Sequence, residues 1–386
     1  MSASLLLSLV AALAAPAPRS SSDDVRSAIH RGVDFLRSVQ EKDGSFGAPR
    51  NVMFNESFAT VHTYEAWTVA TTGLCAMALL ECGSKPEDFA AMDRAVDFLL
   101  DHAYVKRVSE WDTDNVWGYV YGLQGIARLL RAPRFAKDPR RPKMEEVAKG
   151  LLERLDRWQT PEGGWGYYEG PVVSIPNTWA TQFTTAACVN GMLDAKAAGL
   201  PVDEKCLQKA LDALDRCRLP NGACTYSLEA IPDPRGLEFI HQVKGSLGRI
   251  QVGNVALFRA GRLDARAVKD GLDLFFEHHR FLAVAREKPI PHESWYAVAA
   301  YFHLFGHYYA ARAIELLPTE ARGPYADQLV GKLLEIQEPE GAFWDFHISD
   351  YTRAYGTAFG VMALQRALPS VEARPAAPAP PASTVK

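Results

Sequence analysis

Carboxylates, imidazoles and indoles gather at three places in this chain in patterns that suit chemistry. Trp111-Asp112-Thr113-Asp114-Asn115-Val116-Trp117 places two carboxylates two residues apart between two indoles. A like-charged neighbour and apolar surroundings raise a carboxyl pKa, and an acid so raised keeps a proton to donate. The plainer role for an Asp ahead of a helix is an N-cap. Glu65 and Glu293 form a second candidate pair, since glycoside cleavage uses two carboxylates that flank the scissile bond. His62 and His292 lie close by in sequence and could act as bases. Tyr64, Tyr296 or Tyr301 would serve a lyase on uronic acids if a cation lowered its pKa. Solvated helix caps are the plainer role for both glutamates. His303 and His307 stand four residues apart, a spacing that holds zinc in some sites. No third ligand is identifiable, so neither a metal nor a cofactor is expected. His347 and Asp350 are further candidates for ligand contact.

A repeat carries these residues. Gln40-Glu-Lys-Asp-Gly44-Ser-Phe46, Gln159-Thr-Pro-Glu-Gly163-Gly-Trp165 and Gln337-Glu-Pro-Glu-Gly341-Ala-Phe343 are copies of one phrase. Their glutamines are 119 and 178 residues apart, two and three steps of about 59. Arg218-Leu-Pro-Asn-Gly222-Ala-Cys224 is a worn fourth copy, and steps near Leu100 and His278 complete six units. Each unit reads as helix, loop, helix. The first helices are amphipathic: residues 25–39, 144–158, 203–217, 264–278 and 325–337. The second helices, near 64–80, 179–195, 245–258, 295–304 and 355–364, are apolar or small almost all round, which marks helices buried on every side. Six of each predict an all-α, (α/α)6 toroid with an outer and an inner barrel.

The Gln-x-x-x-Gly-x-aromatic phrase resembles the repeat of squalene–hopene cyclases and related terpene cyclases, and protein prenyltransferase β-subunits are similar in fold. The resemblance implies that Gln40, Gln159 and Gln337 bond loop backbone and that Phe46, Trp165 and Phe343 staple units together. Trp111–Trp117 is similar to the Asp-x-Asp-Asp box of class II terpene cyclases, with Asn115 in the fourth position. By that resemblance Asp114 would protonate an alkene or epoxide, with Asp112 beside it. The zinc ligands of the prenyltransferases have no match here. Polysaccharide lyases and glycosidases also use such toroids, and shape alone does not confer function.

The inner helices share a second pattern. A polar residue precedes an aromatic by two at Glu65/Trp67, Asn115/Trp117, Asn177/Trp179, Glu293/Trp295 and Arg353/Tyr355, while unit four has Val243/Gly245. Such rings could line a central funnel and stack on a sugar or stabilise a carbocation. They could equally wedge the two helix layers together. The gap at Gly245, near Lys244, Arg249 and Gln251, could seat an acidic group.

Composition narrows the classes. Apolar residues make up 48% of the 386 and the formal charge is −4, with no basic stripe for nucleic acid. Residues 1–22 read as a signal peptide and short linker, with a cut near Ala15 or Ala17, although no Lys or Arg precedes the apolar run. Export to the periplasm or cell exterior is therefore expected. Residues 23–369 read as one toroid domain and 370–386 as a disordered Pro/Ala-rich tail. No stretch suits a transmembrane helix. Cys217 and Cys224 flank a turn and could pair. Three functions stay open: a terpene-cyclase-like protein with a cavity for a small molecule, a carbohydrate-active lyase or hydrolase, and a scaffold binding glycan or peptide.

Overall fold

The computed structural model describes residues 20–47, 60–169, 179–228, 239–345 and 351–373. Residues 1–19 of the expected signal peptide and linker, residues 374–386 of the expected tail, Asn177, His347 and Asp350 lie outside these residues, while Ser22 and residues 370–372 belong to helices. Among these residues six outer helices alternate with six inner ones. The outer set is α1 (Ser22–Val39), α3 (Pro86–His102), α5 (Arg141–Arg157), α7 (Glu204–Cys217), α9 (Ala265–Glu277) and α12 (Thr319–Ile336). The inner set is α2 (Val61–Cys82), α4 (Asn115–Arg131), α6 (Gln182–Ala197), α8 (Val243–Arg259), α11 (Phe302–Glu315) and α13 (Tyr351–Glu372). A short extra helix, α10 (His279–Arg286), follows α9.

Local sequence explains the layers. α1 starts on a capping box in which the Asp24 amide donates to Ser21 Oγ and the Ser21 amide donates to Asp24 Oδ2. It buries Val25, Ile29, Val33 and Leu36 and turns its charges outward. In α2 every residue from Thr68 to Leu79 is buried. Small residues let the inner helices approach closely: a Cβ on Gly73 would sit 2.2 Å from the Tyr121 carbonyl oxygen. Each inner helix packs on the next, and α13 closes on α2 and α1. The result is a shut α/α toroid.

The repeat phrase makes the joints. The side-chain amide of Gln40 donates to the carbonyls of Gly44 at 3.0 Å and Ala91 at 2.8 Å. Gln159 does the same to Gly163 and Cys206, and Gln337 to Gly341 and Ala28. Each glutamine thus ties its own turn to the next outer helix, and Gln337 ties the last unit to the first. The turns need glycine: Gly44, Gly163 and Gly341 have φ of 91, 101 and 98°, and each packs on backbone of the next outer helix. Phe46, Trp165 and Phe343 are fully buried, their amides donating to Thr72, Thr185 and Thr357 at 3.0, 3.0 and 2.9 Å. The worn copy keeps the turn, with Gly222 at φ 83° and an Arg218–Cys224 bridge. All six cysteines are free and buried, so Cys217 and Cys224 do not pair.

A ring of charged side chains lines one end of the inner barrel. Arg128 pairs with Glu81 and, at 3.1 Å, with Asp194; Asp194 also takes Arg259 at 2.5 Å. Arg366 bridges Glu81 at 2.6 Å and Glu315 at 2.8 Å. Each inner helix supplies one member from its C-terminal end, where arginine also offsets the helix dipole. No helix among the described residues is long and apolar enough to cross a membrane.

Candidate functional site

Above the ion ring, the N-terminal halves of the inner helices enclose a cavity of about 410 Å³, within the range of small-molecule sites. Eleven of its seventeen described lining residues are Trp, Tyr or Phe. Trp67, Trp117 and Tyr355, expected from the helix-entrance pattern, line it. Tyr121 and Phe359 lie one helical turn beyond Trp117 and Tyr355, and Phe183, Phe302, Phe305, Tyr167, Tyr226 and Tyr301 complete the eleven. The rings interlock. Trp117 stacks on Phe183 at 6.0 Å and on Tyr121 at 5.9 Å, and Phe183 meets Phe302 edge-on at 4.9 Å.

Asp114 is the only carboxylate among the described lining residues. It stands at the N-cap of α4, but its side chain makes no capping bond. The backbone there is left-handed, φ 64° and ψ 7°, a conformation that Asp tolerates better than most residues. The carboxylate turns into the cavity and accepts a hydrogen bond from the Thr113 hydroxyl at 3.1 Å. Burial raises its pKa to about 6, against the opposing bonds from Thr113 and Trp67.

Asp112 has a different task. It is buried and accepts from the Val108 amide at 2.7 Å, the Ser109 amide at 2.8 Å and the Thr60 hydroxyl. Burial works to raise its pKa, but these bonds and nearby His62 outweigh it and lower the value. Asn115 is also buried; it donates to Tyr119 Oη at 3.2 Å and accepts from the Glu169 amide at 3.2 Å, so it fixes the following turn.

Opposite polar chemistry comes from the segment before α11. Three of its residues, His292, Tyr296 and Ala297, have φ between 54 and 66°. His292 Nδ1 lies 2.7 Å from the Ala297 carbonyl oxygen, which can only accept, so Nδ1 carries the proton. Nε2 is then left to accept from the Tyr301 hydroxyl at 2.8 Å. Burial lowers the His292 pKa, with Arg249 adding to the effect, and the imidazole is neutral at neutral pH. Tyr301 and Tyr226 interact, and Tyr226 bonds Tyr167, extending the polar chain along the wall. Arg249 is fully buried behind this wall. It donates to the Thr225 carbonyl at 3.0 Å and lies 4.9 Å over the Tyr226 ring.

Other candidates from the sequence lie elsewhere. Glu65 and Glu293 are exposed, and Glu65 lines a separate surface pocket with Tyr64 and His62. Trp295 is 69% exposed, because the fifth inner helix starts at Phe302 and not at Trp295. The strained turn at Tyr296 and Ala297 displaces the register expected from the apolar run. Trp179 packs on Tyr167 and Tyr168 outside the lining. Arg353 pairs with Glu340 and covers the Phe35 ring, away from the cavity. Lys244 lies 5.0 Å over Phe281 and 5.2 Å over Tyr296 and is not among the described lining residues of the cavity. A second buried acid stands behind Tyr355: Asp345 accepts from the Leu304 amide at 3.0 Å, and burial raises its pKa to about 7.

No protein-family model matches the chain, and no curated protein matches it in sequence. Solved structures are similar in fold. The cellobiose 2-epimerase from Spirochaeta thermophila matches with a TM-score of 0.60 at 12% identity, covering 91% of this chain and 98% of that one. The GH76A α-1,6-mannanase from Salegentibacter matches at 0.58 and 12% identity, covering 90% and 99%. A type II terpene cyclase from Scytonema, solved with its substrate geranylgeranyl dihydroxybenzoate, matches at 0.51 and 13% identity, covering 90% and 99%. At these identities the likeness shows the α/α toroid and leaves the reaction open.

Proposed function

We propose that this chain is a proton-initiated cyclase of an olefinic, isoprenoid-like small molecule, with Asp114 as the general acid. The observation that carries the reading is one acid-poised carboxyl group, the only carboxylate among the described lining residues, set among aromatic rings. The Asp114 O–H gives its proton to an alkene carbon or epoxide oxygen. With an alkene the π electrons form the new C–H bond; with an epoxide the new O–H forms and a ring C–O bond breaks, and in either case a carbocation remains. Thr113 stabilises the carboxylate left behind by its hydrogen bond. The ring faces stabilise the cation, by about 2 kcal/mol each where water is excluded. Internal alkenes then close rings onto the cation, and loss of a proton restores a C=C bond. Tyr301, backed by neutral His292, is the acceptor: its hydroxyl passes a proton to Nε2 as it takes one from the cation. Substrate and product are isomers.

The carbohydrate reading meets two obstacles here. Glycoside cleavage needs a second carboxylate, and Asp114 has no such companion among the described lining residues. A sugar's hydroxyls also need many polar partners, whereas this wall is mostly apolar ring. The test is incubation with linear isoprenoids and their terminal epoxides in D₂O. Products of substrate composition carrying one new C–D or O–D at the initiation site support the proposal; C–D is diagnostic because O–D exchanges. Absence of turnover on the whole panel, or full turnover by Asp114→Asn, would sink it.

A further inference from the structure

His279, His303 and His307 converge on the outer side of α11, away from the cavity, and are buried with exposures of 7, 2 and 0%. One ring nitrogen from each lies within 4.8 Å of the others. We propose that these three imidazoles form a binding site for a single divalent transition metal, zinc above all. The tautomers of two of the rings suit the task. His307 Nδ1 donates to the His303 carbonyl at 2.6 Å, and His303 Nδ1 faces the Leu282 carbonyl at 3.4 Å. Both bonds direct the Nε2 lone pairs inward, as backbone partners do for metal-bound histidine. His303 Nε2 is buried and has no hydrogen-bond partner among the described residues, an unsatisfied acceptor that a metal would satisfy. His279 Nε2 donates to His307 Nε2 at 2.9 Å, since His307 holds its own proton on Nδ1; a metal entering between them would move the His279 proton to its Nδ1. A tetrahedral zinc with bonds of about 2.0–2.1 Å needs nitrogens about 3.4 Å apart, so small side-chain rotations complete the triad. A water or hydroxide would take the fourth position.

The donor set chooses the metal. Three neutral imidazoles favour zinc, nickel or copper and do not suit magnesium or calcium, which want oxygen. Lys332 and Arg286 act on the same rings and temper affinity for a cation. The ion would clamp α10 to α11 and so fix the base of the segment bearing His292; this proposal does not depend on the cavity's reaction.

Full-length protein, stripped with a chelator, is titrated with Zn²⁺ and with Co²⁺. One ion per chain by elemental analysis, a visible Co²⁺ spectrum of four-coordinate type and a raised Tm are expected, with no effect of Mg²⁺ or Ca²⁺. His303→Gln and His279→Gln should each weaken Zn²⁺ binding by more than the roughly 10–100-fold cost of disturbing an outer partner. No stoichiometric uptake by wild type, or unchanged affinity in both variants, overturns the site. If the variants do not fold, imidazole ¹⁵N NMR of the wild type decides. Zn²⁺ must shift three Nε2 resonances, and a spectrum without those shifts refutes the proposal.

Discussion

Asp112 and Asp114 are two residues apart and face opposite environments. Two backbone amides and the Thr60 hydroxyl hold Asp112 ionised, while Asp114 meets aromatic rings and one hydroxyl and titrates near 6. One short sequence thus yields a charged anchor and a poised acid. Such divergence between neighbouring carboxyl groups is how acid and base roles are assigned in active sites.

The same shift carries a stability cost. Asp114 moves from an ordinary 3.8 to about 6 on folding. The folded state holds the proton more tightly, so the extra stability is complete below pH 3.8 and is lost as pH rises through 6. Two pKa units correspond to about 3 kcal/mol. Asp114→Asn should therefore match wild type near pH 4 and exceed it by up to about 3 kcal/mol above pH 7. Urea unfolding at both pH values checks this; equal stability at pH 7 would show that the acid is not desolvated.

Activity should follow the same proton. If Asp114 must be protonated, kcat/KM falls about tenfold per pH unit above 6. His292, whose pKa is lowered, only becomes more fully neutral as pH rises and so adds no second loss there. Tyr301→Phe acts after protonation, so it should change the products, towards cations quenched by water, more than it changes kcat/KM. A pH–rate profile with product analysis by mass spectrometry separates the two groups.

Periodic features of the toroid were readable from sequence, and irregular ones were not. Gln40, Gln159 and Gln337 announce themselves because one turn, with one glycine conformation, recurs at each joint. The entrance pattern led to Trp67, Trp117 and Tyr355 because these occupy regular helix. Tyr121 and Phe359 could have been found by stepping four residues from Trp117 and Tyr355. Trp295 misled because a left-handed turn interrupts an apolar run that reads as helix. His279 joins His303 and His307 from a different helix, a meeting that spacing along one chain does not encode. The ion ring was missed because its members lie one to a helix at the far ends.

That ring should carry much of the inner barrel's rigidity. Asp194 is buried, and although burial would raise its pKa, Arg128, Arg312 and Arg259 together pull it far down. Its contribution is present above an unfolded value near 4 and is lost as pH falls toward the folded one. Asp194→Ala leaves Arg259 and Arg128 short of a buried partner and should cost about 3–5 kcal/mol at pH 7. Thermal unfolding measures the loss, which should shrink in strong acid.

The joint between the last unit and the first differs from the others, since no peptide links α13 to α1. Gln337 bonds the Ala28 carbonyl at 2.8 Å, as Gln40 bonds Ala91 at 2.8 Å, so the local geometry is the same. Loss of either amide leaves a carbonyl unsatisfied, costing about 1–3 kcal/mol. At Gln40 the chain itself still holds the two units together. At Gln337 packing, hydrogen bonds and the exposed Arg26–Glu372 ion pair are what oppose separation, so local opening should follow. Gln337→Ala should therefore speed amide exchange across residues 22–39, while Gln40→Ala leaves those amides protected to the level of global unfolding. Hydrogen exchange with mass spectrometry reads both variants. Equal protection of α1 in the two would mean that packing of α13 on α1, and not the glutamine, keeps the ring shut.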